Sequence, residues 1–188
     1  MTNTSKINKP KCIFFDVDGV LTDGSKLYSS EKGSPVIGKR FNDIDFTAFK
    51  ILKCLDIDFY WISGDETVNK DLAKNRSIKF IYTRVDNIPR KKSEFMSKIC
   101  QNNNFKKEEI WFVGDDFFDL SAINMAGFSF CPSNSSNAIK SRVNYVIPHN
   151  SGEYLASWIV DFVIKEFKLE YPSEDVIAEK EILESQKY

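Results

Sequence analysis

The chain has 188 residues, of which 42% are hydrophobic, and its 26 basic and 27 acidic side chains give a formal net charge of −1. Length and composition predict one α/β domain over residues 1–188. The charges are well mixed along the chain, which favours neither a nucleic-acid partner nor a membrane partner. The first ten residues lack an apolar core, and no stretch reaches about eighteen apolar residues, so we expect a cytoplasmic protein.

Short apolar runs alternate with longer amphipathic segments. The runs are rich in Phe, Ile, Val and Tyr and end in turn-forming residues, as buried parallel strands do. Six strands are predicted, at 12–17, 59–63, 80–83, 110–113, 128–131 and 145–148. Five helices are predicted between them, at 46–55, 66–75, 91–101, 119–125 and 137–141. This alternation indicates a doubly wound, Rossmann-like parallel sheet.

Two regions depart from this rhythm. Residues 24–42 alternate weakly and contain Gly33, Pro35 and Gly38, which predicts a β-hairpin that projects from the end of the first strand. Residues 153–169 have apolar side chains at helical spacing and predict a final helix. The charged tail that follows, up to residue 188, is expected to be either a short extra helix or a frayed end.

The four cysteines are widely scattered, at Cys12, Cys54, Cys100 and Cys131. They form neither a CxxC motif nor a cluster with histidine, so a zinc site is not expected. Cys12 and Cys54 lie inside apolar runs, where a free thiol acts as a small hydrophobic side chain. We therefore predict reduced, mostly buried thiols.

Acidic residues follow the predicted strands. In an open parallel sheet, ligands bind beyond the carboxyl ends of the strands. The polar side chains at those ends are Asp16 and Asp18 after the first strand, Ser63 after the second, and Asp115, Asp116 and Asp119 after the fourth. Lys92, at the start of a predicted helix, adds a positive charge. Several separate segments therefore bring carboxylates, a hydroxyl and an ammonium to one edge of the sheet.

So many carboxylates at one edge repel one another unless a cation neutralises them. Mg²⁺ has the required chemistry, because it binds one or two carboxylates and keeps room for a phosphate oxygen. One carboxylate is then free to attack phosphorus. A second carboxylate two residues further along the strand points to the same face, where it can donate and later accept a proton. The pattern therefore predicts chemistry at a phosphate ester.

The motifs resemble those of the haloacid dehalogenase superfamily of phosphatases. The first motif, DxDG[VT]LT, is matched by residues 16–22, and the second, an apolar strand that ends in Ser or Thr, is matched at Ser63. The fourth, GDDxxD, is matched by residues 114–119. The third motif is a lysine, which the spacing to GDD places at Lys92, with Lys91 as the alternative.

The resemblance implies a role for each matched residue. Asp16 would be the nucleophile and a metal ligand, and Asp18 would be the general acid and base, with its backbone carbonyl on the metal. Asp115 would be a further metal ligand. Asp116 and Asp119 would lie next to the metal ligands without binding the ion directly. The phosphoryl group would be held by Ser63, Gly64 and Lys92. The expected cofactor is Mg²⁺.

A narrower likeness is to the 3-deoxy-manno-octulosonate-8-phosphate phosphatases. Ser63 and Lys92 are too close in the chain to leave room for a cap domain between them. The predicted hairpin coincides with the flap of that family, whose pattern DGxLYxxxxGxxxKxFNxxD is similar to the segment that ends at Asp45. Those enzymes assemble as tetramers through the flap, so a homotetramer is expected here.

Two arginine positions of that family are changed. Its RDG is replaced by residues 44–46, Ile-Asp-Phe, and its TGR is replaced by Ser63, Gly64 and Asp65. Arginine suits carboxylate recognition, so these changes favour a different small phosphorylated metabolite of surface-glycan synthesis, such as another sugar phosphate or a polyol or amino-alcohol phosphate. Asp65 would then be free to meet a cationic group of the substrate.

Several alternatives stay open. The substrate could be an octulosonate or acylneuraminate phosphate after all, or the chain could be a catalytically impaired assembly subunit. A phosphotransferase or mutase would use the same intermediate in a site that excludes water. A signalling receiver domain combines similar residues in a different chain order. Asp119 could simply cap the following helix.

Overall fold

The computed structural model describes residues 7–185, and predictions for residues outside that range remain untested. Ten strands occur in this range: β1 Cys12–Asp16, β2 Leu27–Tyr28, β3 Val36–Gly38, β4 Asp58–Ser63, β5 Lys79–Tyr82, β6 Arg84–Val85, β7 Ile88–Pro89, β8 Ile110–Val113, β9 Phe128–Cys131 and β10 Tyr145–Val146. The α-helices are α1 Asp43–Cys54, α2 Thr67–Asn75, α3 Lys92–Asn102, α4 Leu120–Met125, α5 Asn137–Lys140, α6 Leu155–Phe167 and α7 Glu174–Ser185.

Six strands form the central sheet, in the order β10-β9-β8-β1-β4-β5, and each neighbouring pair is parallel. The predicted doubly wound α/β fold is therefore confirmed. β1 lies at the centre, with Phe15 opposite Trp61 of β4 on one side and Val113 of β8 on the other. This register brings the carboxyl ends of β1, β4 and β8 together.

Both faces of the sheet are buried. Ile13 and Phe15 of β1 point to the face that is covered by α1 and α6, whereas Phe14 points to the face that packs against Met96 of α3 and Ile123 of α4. A strand that is buried on both sides needs apolar residues at every position, which explains the uninterrupted run in β1. The thiols of Cys12, Cys100 and Cys131 are free and buried, as predicted, whereas Cys54 is only partly buried.

The hairpin consists of β2 and β3, which pair antiparallel, and an isolated bridge between Thr22 and Phe41 closes its base. We call residues 24–42 the flap. Its apolar side chains are exposed: Leu27 is 67% exposed, Tyr28 60% and Ile37 64%.

The predicted element boundaries differ from the observed ones in several places. The prediction that α1 begins at Phe46 is wrong, because it begins at Asp43, and the Asn42 side chain accepts a hydrogen bond from the Ile44 N–H at its start. The tail forms α7, which packs against α1 and carries the ion pair between Glu181 and Lys50. Within the described residues, none of the helices has the length and apolar character needed to span a membrane.

A second short hairpin, β6–β7, was not predicted. Its two strands have two residues each and are joined by Asp86 and Asn87, whose φ angles are 51° and 61°. Two consecutive residues with positive φ are the geometry of a type I′ hairpin turn, which Asp and Asn tolerate well. This hairpin lies between β5 and α3, beside the carboxyl end of the sheet.

Candidate active site

All eight residues singled out in the sequence line one cleft of about 320 Å³ at the carboxyl ends of β1, β4 and β8. They are Asp16, Asp18, Ser63, Gly64, Lys92, Asp115, Asp116 and Asp119. The parallel register of the three strands explains why residues from such distant parts of the chain meet here. The cleft also contains the basic side chains Lys26, Arg84 and Arg90, which the motif analysis did not include.

Lys92 lies at the centre of the site. Its ammonium is 2.6 Å from Asp16 Oδ1 and 2.6 Å from Asp119 Oδ1, and its side chain is only 7% exposed. Burial acts to lower the pKa of Lys92, but the charges of Asp119 and Asp16 outweigh it, so the pKa lies above its ordinary value. The lysine is therefore a fixed positive charge beside Asp16. This observation favours Lys92 over Lys91 as the lysine of the third motif.

Three carboxylates surround a possible metal position. One oxygen from each of Asp16, Asp115 and Asp119 lies within 4.8 Å of the others. Among the described residues, the buried Asp115 Oδ1 has no hydrogen-bond partner. Burial, together with the nearby Asp119 charge, raises the pKa of Asp115 to about 7. Burial also raises the pKa of Asp16, although Lys92 opposes this effect. A hard divalent cation would satisfy the unpaired oxygen and stabilise the ionised acids, so the residues present fit a magnesium ion.

Backbone geometry brings Asp115 close to β1. Gly19 has a φ of 88°, and a Cβ atom built on it would overlap the Asp115 carboxylate. A residue with a side chain is disfavoured at this φ and would also occupy the space of the acid. The glycine of the first motif therefore has a structural reason, which is to let Asp115 approach the end of β1.

Asp119 holds the GDD turn in place. It is completely buried, and its Oδ2 accepts hydrogen bonds from the N–H groups of Asp115 and Asp116, at 2.9 and 3.2 Å. Asp119 is the N-cap residue of α4, but its side chain makes no capping hydrogen bond to that helix. Asp116 is exposed, and its side chain accepts a hydrogen bond from the Phe117 N–H. Asp119 therefore orients both the turn and Lys92.

Asp18 points away from the three clustered carboxylates. Its Oδ2 accepts hydrogen bonds from Ser63 Oγ and Asn69 Nδ2, both at 3.0 Å. Its Oδ1 lies 2.5 Å from the Lys39 ammonium of the flap. The side chain is thus held by three groups at the side of the cleft. Sequence reasoning missed Asn69 and Lys39; the only signal for Lys39 was its place in the KxFN part of the flap pattern.

Asp65 is neutralised within the chain. Its Oδ2 lies 2.8 Å from the Lys26 ammonium and 3.0 Å from the Lys39 ammonium, and both lysines belong to the flap. Burial acts to raise the pKa of Asp65, but the hydrogen bonds from Lys26, Thr67 and Lys39 outweigh it, so the pKa lies below its ordinary value. The expectation that Asp65 is free to meet a cationic substrate group is therefore wrong in this conformation.

The family model for haloacid dehalogenase-like hydrolases matches residues 29–159. The chain belongs to this family, and the predicted class, a phosphoric monoester hydrolase, is confirmed.

A relative in Haemophilus influenzae, 3-deoxy-D-manno-octulosonate 8-phosphate phosphatase KdsC, is 26% identical over 161 residues, which are 85% of this chain and 86% of the relative. The cobalt-bound structure of the deoxy-D-mannose-octulosonate 8-phosphate phosphatase from that organism has a TM-score of 0.76 at 25% identity and covers 86% of this chain and 91% of its own.

The fold is also shared with 3-deoxy-D-manno-octulosonate 8-phosphate phosphatase from Moraxella catarrhalis, at a TM-score of 0.74 and 24% identity, with 84% of this chain and 87% of that chain covered. That protein was solved in complex with a magnesium ion, a phosphate ion and a KDO molecule. In this chain, the acids that could hold a metal ion are Asp16, Asp115 and Asp119.

Proposed function

We propose that this chain is a magnesium-dependent phosphatase that hydrolyses a small phosphorylated metabolite through an aspartyl-phosphate on Asp16. The observation that carries the proposal is the position of Asp16, which lies between the Lys92 ammonium and the carboxylate of Asp115 at the end of the central strand. A nucleophilic carboxylate needs positive charge beside it, so that the anionic phosphate can approach.

In the first step, an oxygen of the Asp16 carboxylate attacks phosphorus, and the bond between phosphorus and the leaving oxygen breaks. Asp18, in its protonated form, donates its proton to that oxygen, so the alcohol leaves neutral. Lys92, and the hydroxyl of Ser63 with the adjoining backbone of Gly64, would hold the phosphoryl oxygens. The products of this step are the alcohol and an acyl phosphate on Asp16.

In the second step, Asp18 accepts a proton from a water molecule that attacks phosphorus, and the bond between phosphorus and Asp16 breaks. Inorganic phosphate leaves, and both aspartates return to their initial states. Asp16, Asp115 and the backbone carbonyl of Asp18 would hold the magnesium ion. When bound, this ion supplies positive charge that offsets the carboxylates and the phosphate.

The size and the basic residues of the cleft support a small, anionic substrate. A cleft of about 320 Å³ suits a small metabolite, and Arg84 and Arg90 add basic groups to its lining, whereas Lys26 is paired with Asp65. Arg84 is oriented by a hydrogen bond from its Nε to the carbonyl of Gly64, at 2.8 Å. These groups suit an anionic sugar phosphate or a related metabolite of surface-glycan synthesis.

One observation favours a second candidate, a 3-deoxy-octulosonate or acylneuraminate phosphate. Both compounds carry a carboxylate, and the sequence has Asp65 in place of an arginine that could bind it. Arg84 and Arg90, from the unpredicted β6–β7 hairpin and its end, provide guanidinium groups in the same cleft. We therefore keep this substrate beside the broader class.

The test is a phosphate-release screen with Mg²⁺ over phosphorylated sugars, keto-acids, polyols and amino alcohols. The proposal predicts turnover of at least one such ester, and selective turnover of the keto-acid phosphates would support the second candidate. If no ester and no aryl phosphate were hydrolysed, the chain would instead fit the impaired assembly subunit. The presence of Asp16, Asp18 and Lys92 in one cleft argues against that alternative.

We also propose that the chain assembles as a homotetramer through the flap. The support is the exposure of Leu27, Tyr28 and Ile37, since apolar side chains grouped on one hairpin are typical of interaction surfaces. Light scattering on the purified protein tests this proposal, and a monomer at working concentration would contradict it.

A further inference from the structure

Lys39 of the flap is buried against the side chain of Asp18. Its side chain is 0% exposed, and its ammonium lies 2.5 Å from Asp18 Oδ1, 3.0 Å from Asp65 Oδ2 and 3.0 Å from Asn69 Oδ1. The contact with Asn69 Oδ1 is a hydrogen bond, and the contacts with the two carboxylates are ion pairs, so three oxygens lie around the ammonium. A buried ammonium is costly unless it is paired in this way. The lysine therefore has a single well-defined position, and it fixes the Oδ1 side of Asp18.

The other oxygen of Asp18 is fixed by the core. Ser63 Oγ and Asn69 Nδ2 donate hydrogen bonds to Asp18 Oδ2 from β4 and α2. Asn69 is itself completely buried and also donates to Ser63 Oγ, at 3.2 Å. The core alone thus restrains one edge of the carboxylate. Lys39, which comes from the flap, restrains the second edge and sets the rotation of the group.

A second ion pair joins the flap to the same place. Lys26 lies 2.8 Å from Asp65 Oδ2, the same oxygen that faces Lys39. The side chains therefore form a row of alternating charge, in the order Lys26, Asp65, Lys39 and Asp18. Both lysines belong to the flap and both acids belong to the core, so the docking of the flap and the orientation of Asp18 are physically linked.

We propose that Lys39 is a positioning residue, which holds the ionised Asp18 carboxylate in one orientation when the flap is docked, so that this acid is in place for the proton transfers of the reaction. This inference rests on the proposed role of Asp18 as general acid. A proton donor matters most for a poor leaving group such as a sugar or polyol alkoxide, and least for a nitrophenolate that leaves unaided. Loss of Lys39 should therefore act on the two kinds of ester very differently.

The first experiment compares Lys39→Met with Lys32→Met, which removes an exposed lysine from the tip of the same flap. For an alkyl phosphate, Lys39→Met should lower kcat by about 100-fold, while kcat for 4-nitrophenyl phosphate changes little. Lys39→Arg should recover part of the loss, and Lys32→Met should resemble the wild type on both esters. Equal losses on the two esters would overturn the proposal.

The second experiment asks whether Lys39 acts through Asp18. If it does, adding Lys39→Met to Asp18→Asn should cause no further loss on the alkyl phosphate, because the acid is already absent. A purely structural role would make the two losses multiply, which contradicts the proposal. The non-additive result and the ester selectivity together distinguish positioning from general damage to the fold.

A structural readout separates this inference from the proposed function. In a crystal structure of Lys39→Met, the Asp18 carboxylate should rotate about its Oδ2 contacts with Ser63 and Asn69, so that Oδ1 leaves its position, while the strand order is kept. An Asp18 carboxylate whose Oδ1 keeps its original position would overturn the positioning role, even if the enzyme is active. If Asp16→Asn were as active as the wild type, the proposed function would fail, and the crystal structure would still decide the role of Lys39.

Discussion

The strand-end site and the flap are held in place by different interactions. At the end of β1, Asp16, Asp119 and Lys92 are buried, and the register of β1 with β4 and β8 brings the segments that carry the site together. The flap exposes its apolar side chains and contacts the cleft through the ion pairs of Lys26 and Lys39. The buried region fixes the position of the carboxylate that attacks phosphorus. The flap contacts this region through ion pairs.

The two regions should therefore tolerate different substitutions. A change at the strand ends removes a group that no neighbouring segment can replace. A change on the flap surface leaves the core intact and affects only the contacts of the flap with other molecules. We therefore expect larger losses from changes at the strand ends than from changes on the flap surface.

The largest effect is expected from Asp16→Asn. An amide is a poor nucleophile, so turnover of an aryl phosphate should fall by more than about 10⁴-fold, measured by phosphate release. The fold should survive, because the amide has nearly the same shape, and circular dichroism checks this. Full activity in a folded variant would refute the covalent mechanism.

Removal of the metal should be nearly as severe. Excess chelator should abolish turnover, since the crowded carboxylates then lack the charge that offsets the phosphate. Added Mg²⁺ should restore it and should also raise the Tm, because a ligand that binds only the folded state stabilises that state. Undiminished hydrolysis in chelator, with no change in Tm on adding Mg²⁺, would count against a metal site.

Asp45, in the first turn of α1, should make stability depend on pH. Its Oδ1 accepts the Ser157 N–H of α6 at 3.0 Å, and among the described residues its buried Oδ2 lacks a hydrogen-bond partner. Burial raises the pKa of Asp45 to about 6, although the N–H groups of Ser157 and Ala156 oppose this effect. Because the folded state holds the proton more tightly than the unfolded state, stability should fall as the pH rises from about 4 to about 6.

The expected loss is up to about 3 kcal/mol over that interval. Denaturant unfolding at several pH values measures it. Asp45→Asn should flatten this part of the profile, whereas the control Asp43→Asn, an exposed acid in the same turn, should leave it unchanged. A profile that is identical in Asp45→Asn and the wild type would show that Asp45 is not the titrating group.

The smallest effect on stability is expected on the flap. Ile37→Ser should change the free energy of unfolding of the chain by less than about 0.5 kcal/mol, because Ile37 is exposed. The matched core change, Phe15→Ala, should cost about 3–5 kcal/mol. If the flap mediates assembly, Ile37→Ser should instead lower the oligomer fraction in light scattering. A destabilisation as large as that of Phe15→Ala in a monomeric sample would break the contrast between the two regions.

The sequence was informative where function depends on the ends of strands. Asp16 and Asp18 could be found because they directly follow an unbroken apolar run, and the spacing to the GDD turn selected Lys92. The start of α1 was misplaced although Asn42, a good capping residue, precedes Asp43. The β6–β7 hairpin was missed because its strands are only two residues long, although the Asp86-Asn87 pair signals a tight turn.

Other contacts could not be read from the sequence. Asn69 and Lys39 reach Asp18 from α2 and from the flap, and apart from the place of Lys39 in the flap pattern, nothing in their local sequence indicates that they meet. The same holds for Asp65, which sequence reasoning assigned to the substrate and which lies instead between two lysines of the flap. Such contacts depend on how separate segments dock, and local patterns carry no information about docking.

The central claim is that the Asp16 carboxylate carries the phosphoryl group during turnover. The most direct measurement is to quench the enzyme during hydrolysis of a good substrate, reduce it with borohydride, and locate the modified residue by mass spectrometry. An acyl phosphate at Asp16 should appear as homoserine at position 16, and only when substrate is present. Reduction at another residue, or continued turnover with no modification at all, would contradict the account.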